Sequence, residues 1–502
     1  MISEKIVRNY FRYSGFTLIL NMNPFNASAF FFLFTFIANG AVLHAQPSQR
    51  PNILLIAVDD LNDFIGGMGH PNAITPNMDR LIAKGTLFAN AQCQSPMCSP
   101  SRTAIMTGLR PSTTGIYGFI GDDEIKNVND ATRKAVFMHQ YFKDAGYYTM
   151  GVGKIFHEHA PQNLLDESGG REKGFGPVPP KRMNWNTKGT GTDWGAFPER
   201  DEQMPDYRSA QWAKERLNRS YDQPFFLSVG FLRPHVPWHV PQRWFDLYDT
   251  TRIQLPPYLK NDRDDLPEIA LAIDDLPMMP STEWAIKNNQ WKNMVHAYLA
   301  SISFADHYIG EILNALEESP HAANTIVVLW SDHGYRMGEK GTFAKVALWN
   351  RATISPLIFS GPGIPENKRV DAPVELFSIY PTLVDLCGLP AAGNIEARSI
   401  YPLLKNPKAD WATPAITTWA RNNHAIVTSD YRYIRYEDGS EELYLLKQDP
   451  NEWHNVAGRK KYAKVKARLS RYLPEVNVKW AAVSRYDNND YFKKQKREQS
   501  EP

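Results

Sequence analysis

Asn52-Ile-Leu-Leu-Ile-Ala-Val58 is an unbroken apolar run that stops at Asp59-Asp60. A strand with one wet face would alternate apolar and polar residues. This one does not, so it belongs to a sheet buried on both faces, as parallel sheets covered by helices are. Such runs recur along the chain, separated by stretches with helical spacing. A helix is expected from about Thr75, containing Asn77 to Lys84, with Gly85 as its stop. Lys134 to Asp144 gives a second, closed by Gly146 ahead of a strand from Tyr147 to Lys154. Asp206 to Asn218 leads into the strand Pro224 to Phe231, and Met294 to Leu316, the longest helical pattern, into Thr325 to Trp330. Ile354 to Phe359 and a helix near Phe377 to Leu386 continue the alternation. Repeated strand–helix units predict an α/β fold with one large sheet sandwiched by helices. Ligands of such sheets gather beyond the carboxyl ends of the strands, which is where Asp59-Asp60 stand.

Two segments depart from the pattern. Residues 160–205 are rich in Gly, Pro, Asn and charge, and read as a long surface insertion able to shape a cleft. From about Ala415 the runs become short and alternating, with Glu437-Asp-Gly-Ser440 as a turn signal, which predicts a small C-terminal antiparallel sheet. A basic helix is expected from about Lys460, and the last fifteen residues, dense in charge, are expected to fray.

The first 45 residues read as an export signal. Lys5, Arg8 and Arg12 precede the apolar stretch Ala29 to Ala38, and small residues end at Ala45. The stretch is too short for a comfortable membrane span, and Met22 is an alternative start. The expected organisation is a signal peptide at 1–45, a catalytic region at 46–414 and a C-terminal subdomain at 415–502, in a periplasmic or secreted protein with no membrane span after signal removal. Lys and Arg number 56 against 54 Asp and Glu, so overall charge gives no reason to expect a nucleic-acid partner. The three cysteines, Cys93, Cys98 and Cys387, cannot form a complete disulfide framework.

Polar clusters follow several of the strands. Asp59-Asp60 and Ser331-Asp332-His333-Gly334, far apart in sequence, could meet at one hard divalent cation. Cys98 lies where a helix begins, because Pro100 suits a first turn. A helix N-terminus favours an anion, and Arg102 follows four residues on, so Cys98 reads as a nucleophile on an anion-binding helix end. A packing role for a small buried cysteine is the competing reading. Gly151-Val-Gly-Lys-Ile-Phe-His157 lacks the spacer of a nucleotide-binding loop but brings Lys154 and His157 together. Arg233-Pro-His-Val-Pro-Trp-His239 holds His235 among prolines, and Lys340 to Lys345 adds lysines beyond Asp332. Together these cations suit transfer of an oxyanion.

Pro96-Met-Cys-Ser-Pro-Ser-Arg-Thr-Ala-Ile-Met-Thr-Gly108, with its Cys-x-Pro-Ser-Arg core, resembles the first signature of the type I sulfatases, formylglycine-dependent hydrolases of the alkaline phosphatase superfamily. Gly146 to His157 resembles the second, and the likeness runs from about Pro51 to Asn455. Within that family Gly153 to His157, Arg233 to Pro237 and Asp332-His333 look most like the iduronate-2-sulfatase branch. The resemblance implies an alkaline-phosphatase-like fold with a large mixed sheet, and oxidation of Cys98 to formylglycine by a maturation enzyme. It implies Ca²⁺ held by Asp59, Asp60, Asp332, His333 and the modified Cys98. One hydroxyl of the hydrated aldehyde would attack the sulfate sulfur, with Arg102 and Lys154 stabilising charge. His157 would take the proton of the remaining hydroxyl to expel sulfate. His235 and Lys345 would grip the sulfate, and one of the two would protonate the leaving oxygen. Many members carry asparagine where His333 stands. The implied substrate is a sulfated polysaccharide or its oligosaccharides, with a 2-O-sulfate of a uronic acid or anhydro-sugar first. A phosphodiesterase or phosphonate hydrolase on the same scaffold, and an inactive glycan-binding relative, are the alternatives.

Overall fold

The computed structural model describes residues 50–500, so the expected signal peptide at 1–45 lies outside the described residues. Nine strands form the main sheet: β1 (Asn52–Val58), β2 (Gly85–Gln92), β3 (Tyr148–Gly153), β4 (Glu167–Gly170), β5 (Phe225–Phe231), β6 (Thr325–Ser331), β7 (Ile354–Ser360), β8 (Lys368–Val370) and β9 (Val374–Glu375). Their spatial order is β8-β2-β7-β6-β1-β5-β3-β4, with β9 continuing beside β2. The centre is parallel: β1 pairs with β6 on one side and β5 on the other, and β5 pairs with β3. Only β7 runs against its neighbours, pairing antiparallel with β6 and β2. The sheet is therefore mixed, as the resemblance implies.

Every residue of β1 is buried, and its side chains divide between two cores. Leu54, Ile56 and Val58 pack under α4 (Trp291–Glu318) and α3 (Pro205–Leu217), beside α1 (Pro76–Ala83). Ile53, Leu55 and Ala57 face the opposite layer, with Ile105 of α2 (Cys98–Thr107) and Leu383 of α5 (Ile379–Leu386). Period-two side-chain direction with apolar residues at every position requires cover on both sides, which these helices provide. A four-stranded antiparallel sheet, β10 (Ala415–Thr418), β11 (His424–Val427), β12 (Tyr431–Arg435) and β13 (Glu441–Leu445), forms the small C-terminal layer. No helix among the described residues is long and apolar enough to cross a membrane.

Three local expectations change. The single helix at Lys134–Asp144 is two, Asp130–Lys134 and Met138–Asp144, parted by Ala135 and Phe137 in extended backbone. A capping box on Asn129 starts the first piece early, and the break buries Phe137 edge-on to Phe156. The insertion at 160–205 is not all loop: β4 adds an edge strand to β3, and Trp194–Ala196 pairs with Trp238–Val240. The last residues are helical over Asp490–Ser500 and dock rather than fray, because Phe492 is 1% exposed among Trp419, Trp480 and Tyr486.

Candidate active site

The carboxyl ends of β6, β1, β5 and β3 are neighbours, and each delivers polar residues to the same place. β1 ends into Asp59 and Asp60, both completely buried. Asp60 has φ 62°, a left-handed conformation that costs a non-glycine residue energy. It is held there by the Asp60 N–H donating to Asp332 Oδ1 (3.3 Å) and by Tyr298, whose hydroxyl donates to the Asp60 carbonyl (2.7 Å). β3 ends at Gly153, with φ +75°, where a Cβ would lie 2.0 Å from the Gly230 carbonyl of β5. That close turn aims Lys154 back under the sheet edge, where its ammonium donates to Asp59 Oδ2. β6 runs into Asp332 and His333, and β5 into the loop carrying Arg233 and His235.

Cys98 is the first residue of α2, as its Pro100 and Arg102 neighbours predict. Its Sγ lies 3.2 Å from His333 Nε2, 3.1 Å from Lys345 Nζ and 4.0 Å from Asp60 Oδ1. Lys345 Nζ also donates to Asp60 Oδ1 at 2.5 Å. Arg102, one turn along α2 and 1% exposed, donates from Nε to Asp332 Oδ2 (2.8 Å), reaches Asp59 Oδ1 at 3.5 Å, and donates to the carbonyls of Lys154 and Ile155. His235 Nε2 stands 3.8 Å from Asp60 Oδ2, and its ring stacks on Phe175 at 3.9 Å. Asp59, Cys98, Asp332 and His333 have donor atoms within 4.8 Å of one another, and so do Asp59, Asp60, Cys98 and His235.

Concentrated charge shifts these groups. Burial pushes the Asp59 carboxyl up, but Lys154, His235 and Arg102 outweigh it and hold it well below its ordinary value. Burial and the neighbouring Asp59 raise Asp60 to about 7 against the pull of Lys345. Burial raises the Cys98 thiol, and the Lys154 and Lys345 ammonium groups bring it below its usual value. Burial would lower His333, but Asp332 and Cys98 carry it up to about 9. His157 and His235 go the other way, His157 to about 3, because burial is joined by a nearby lysine.

Above this cluster opens a cavity of about 480 Å³ lined by Cys98, His157, His235 and Lys345 at its charged end. Its walls come from the insertion (Phe175, Thr190, Thr192), from Met278 and Met279, and from Phe119, Glu158, Tyr486 and Asn488. Arg102 and Lys154 stand behind it, fully enclosed. His157 faces the cavity without a hydrogen bond to the Cys98 cluster. Asp122 holds its loop, accepting the N–H groups of His157, Glu158 and His159. All ten residues expected at the site thus lie at one sheet edge, nine in a contact network and His157 lining the same cavity without a hydrogen bond to them.

The sulfatase family profile matches residues 51–389, and the profile described as N-sulphoglucosamine sulphohydrolase, C-terminal, matches residues 338–479. The chain belongs to the sulfatase family. Hydrolysis of a sulfate ester is therefore its reaction class. A sulfatase of Formosa agariphila is 53% identical over 461 residues, covering 89% of this chain and 91% of that one. Iduronate 2-sulfatase of Mus musculus is 32% identical, covering 81% of this chain and 90% of the mouse protein. Among solved structures, the phosphonate monoester hydrolase of Agrobacterium radiobacter superposes with a TM-score of 0.68 at 19% identity, over 84% of this chain and 94% of that one. That likeness is one of fold.

Residues not anticipated from the sequence include Asp122, Phe119, Phe175, Met278, Met279, Tyr486 and Asn488. None sits in a motif. Asp122-Asp123 ahead of a loop is the one local signal that could have been read, as an acceptor pair for free backbone N–H groups. The cysteines are all free, which agrees with an incomplete disulfide set.

Proposed function

We propose that this sulfatase is exported and removes an O-sulfate from a sulfated polysaccharide or its oligosaccharides, the first candidate being the 2-O-sulfate of a uronic acid or anhydro-sugar. One observation carries the reading. The first residue of an internal helix, Cys98, lies 3.1 Å from Lys345 Nζ and 3.2 Å from His333 Nε2, at the base of a cavity large enough for a sugar. Similarity to iduronate 2-sulfatase supports the sugar class and position.

The donor set fits a hard cation. Asp59, Asp60 and Asp332 contribute carboxylate oxygens, and Asp60 Oδ2 is buried with no hydrogen-bond partner among the described residues. Asp59, Asp60, Asp332, His333 and the modified Cys98 would hold Ca²⁺, and the Cys98 Sγ stands where an oxygen of the hydrated formylglycine would be. The ion supplies Lewis-acid polarisation of sulfate, and the formylglycine hydrate supplies the attacking hydroxyl.

The chain's own groups do the rest. Arg102 is fixed between Asp332 and Asp59 by four acceptors, so its charge is preorganised behind the nucleophile rather than recruited during the reaction. Lys154 adds a second fixed positive charge on Asp59. Lys345 and His235 face the cavity and bind the sulfate oxygens, and of the two Lys345, whose charged form Asp60 and Cys98 favour, carries the proton for the departing sugar oxygen. His157, held neutral by burial and lining the same cavity, is free to accept a proton from the hydrated residue. Export rests on the reading of residues 1–45 as a leader ahead of a catalytic region at 46–414 and a C-terminal part at 415–502, and a formylglycine-forming enzyme is the implied maturation partner.

The test compares sulfate release with phosphonate and phosphodiester cleavage for protein made with maturation machinery, alongside intact-mass analysis of the Cys98 peptide. An aldehyde at Cys98 and preference for sulfate esters are expected. An unmodified thiol in fully active protein would sink the proposed nucleophile.

A further inference from the structure

The segment 478–489 forms a strap laid along residues 112–119, and two of its residues line the cavity. The N–H of Val478 donates to the Ser112 carbonyl (2.9 Å) and that of Ala481 to Gly115 (2.9 Å). Phe119 and Arg485 exchange both backbone bonds at 2.7 Å. Gly118 allows this approach, since a Cβ there would lie 2.4 Å from the Arg485 carbonyl. At its far end Asn489 Nδ2 donates to the carbonyls of Ala272 (2.9 Å), Ile273 (3.1 Å) and Asp275 (2.8 Å). The strap is thus tied down on both sides of the two residues it turns toward the cavity, Tyr486 and Asn488.

Tyr486 is fixed in place by packing, Asn488 is exposed, and the polar groups of both are chemically unspent. The Tyr486 ring packs against Trp419 and Phe492, with centroids at 5.3 Å in each case, and lies 6.4 Å from Phe119, whose ring meets His157 at a tilt, 4.8 Å between centroids. Its hydroxyl has no hydrogen-bond partner among the described residues, and neither has the Asn488 amide. Burial raises the Tyr486 phenol, and the Lys345 ammonium opposes that rise. Both groups donate and accept, as a sugar hydroxyl does. Among the described residues the lining contains no lysine or arginine besides Lys345, and Glu158 adds a negative charge. A second sulfate is poorly matched to this wall; a hydroxyl is well matched.

We propose that the C-terminal strap builds a subsite for an uncharged pyranose face, in which Tyr486 Oη and Asn488 bond ring hydroxyls while Phe119 and Tyr486 cover its apolar side. The subsite rests on the reading of the enzyme as a glycan sulfatase. It makes Tyr486 and Asn488 contacts that select the sugar, and gives Phe119 a shared duty between that sugar and His157.

The test uses the full-length protein carrying Cys98→Ala, which binds without turnover, and a disaccharide with a 2-O-sulfated uronic acid on a neutral hexosamine. Tyr486→Phe keeps the aromatic packing and removes only the hydroxyl; Asn488→Ala removes an exposed amide. Each is expected to weaken the Kd about fivefold, the worth of one neutral hydrogen bond. In the enzyme with Cys98 intact, each should lower the ratio of kcat/KM on the disaccharide to kcat/KM on 4-nitrocatechol sulfate, which has no sugar, by a similar factor. Unchanged Kd and unchanged ratio in both variants would overturn the subsite while leaving the glycan sulfatase reading intact. Tight, variant-sensitive binding without sulfate release from the disaccharide would support the subsite and count against the proposed substrate position. Absence of any saccharide binding would overturn both.

Discussion

Replacing Arg336 with methionine separates what holds the site together from what reacts in it. Arg336 is fully buried, and its guanidinium forms a two-pronged pair with Asp274, Nη2 to Oδ1 at 2.5 Å and Nη1 to Oδ2 at 3.1 Å. Its remaining donors clamp the loop that carries Lys345: Nε to the Ala344 carbonyl and Nη2 to the Lys345 carbonyl, each 3.1 Å. Removing one member of a buried ion pair costs about 3–5 kcal/mol, because the partner stays charged and desolvated. The two carbonyl bonds add about 1 kcal/mol each. Asp274 keeps only Arg263, a partly exposed partner at 3.3 Å. The expected loss for Arg336→Met is therefore about 5 kcal/mol by urea unfolding followed through tryptophan fluorescence. The double variant Arg336→Met with Asp274→Leu removes both charges, and an apolar pair of similar volume is close to neutral. It should recover all but about 2 kcal/mol, the part due to the loop carbonyls. Activity should not recover with it. Lys345 Nζ must stay near Asp60 and Cys98, and a misplacement of about 1 Å costs about a hundredfold in rate. The assay is kcat/KM on 4-nitrocatechol sulfate beside the unfolding curve. Wild-type kcat/KM in the stable double variant would refute the clamp as what places Lys345, and a loss below about 1 kcal/mol in the single variant would refute the energetic argument.

Two further outcomes follow from the buried groups. Dialysis against a chelator should abolish sulfate release and lower the unfolding temperature, with Ca²⁺ restoring both; at a hundredfold excess over Kd the ion should return about 2.7 kcal/mol. His139 is completely buried, bonded through Nε2 to Ser228 Oγ at 2.8 Å, and burial lowers it to about 3. Its folded value lies below its unfolded one, so below about pH 6.5 the unfolded chain binds the extra proton and stability falls with pH until about 3. That group alone should remove about 2 kcal/mol between pH 7 and pH 5. His139→Gln, which carries no titratable proton, should flatten the acid side of the stability profile by that amount, and an unchanged slope in urea titrations would refute the assignment.

What was legible in the sequence is what local physics decides. The runs that become β1, β5 and β6 are apolar at nearly every position, Ser228 inside β5 being the interior exception, and burial on both faces favours that composition. Their polar endings could be placed at one sheet edge because parallel neighbours end on the same side. β2 was missed for a complementary reason. Gly85 ends a helix and also begins the strand, and Gly-Thr-Leu-Phe-Ala-Asn-Ala-Gln carries too few branched or aromatic residues to announce itself. Its place is set by antiparallel pairing with β7, more than 260 residues later, with a register shift between Phe88 and Ala91.

The site divides along the same line. Cys98, Arg102, Asp59 and Asp332 lie in dense local patterns because each must sit at a fixed point of one backbone turn, and such constraints write themselves into neighbouring residues. The cavity walls have no such constraint. Tyr486 and Asn488 lie in a stretch whose charge suggests solvent, and their position follows from where Phe492 finds its pocket and Asn489 its three carbonyls. A residue that reacts must be built by its own segment, whereas a residue that chooses the sugar need only be brought near by another. Chemistry is thus readable in a single sulfatase sequence well before specificity is, and the strap is where this chain keeps the part that could not be read.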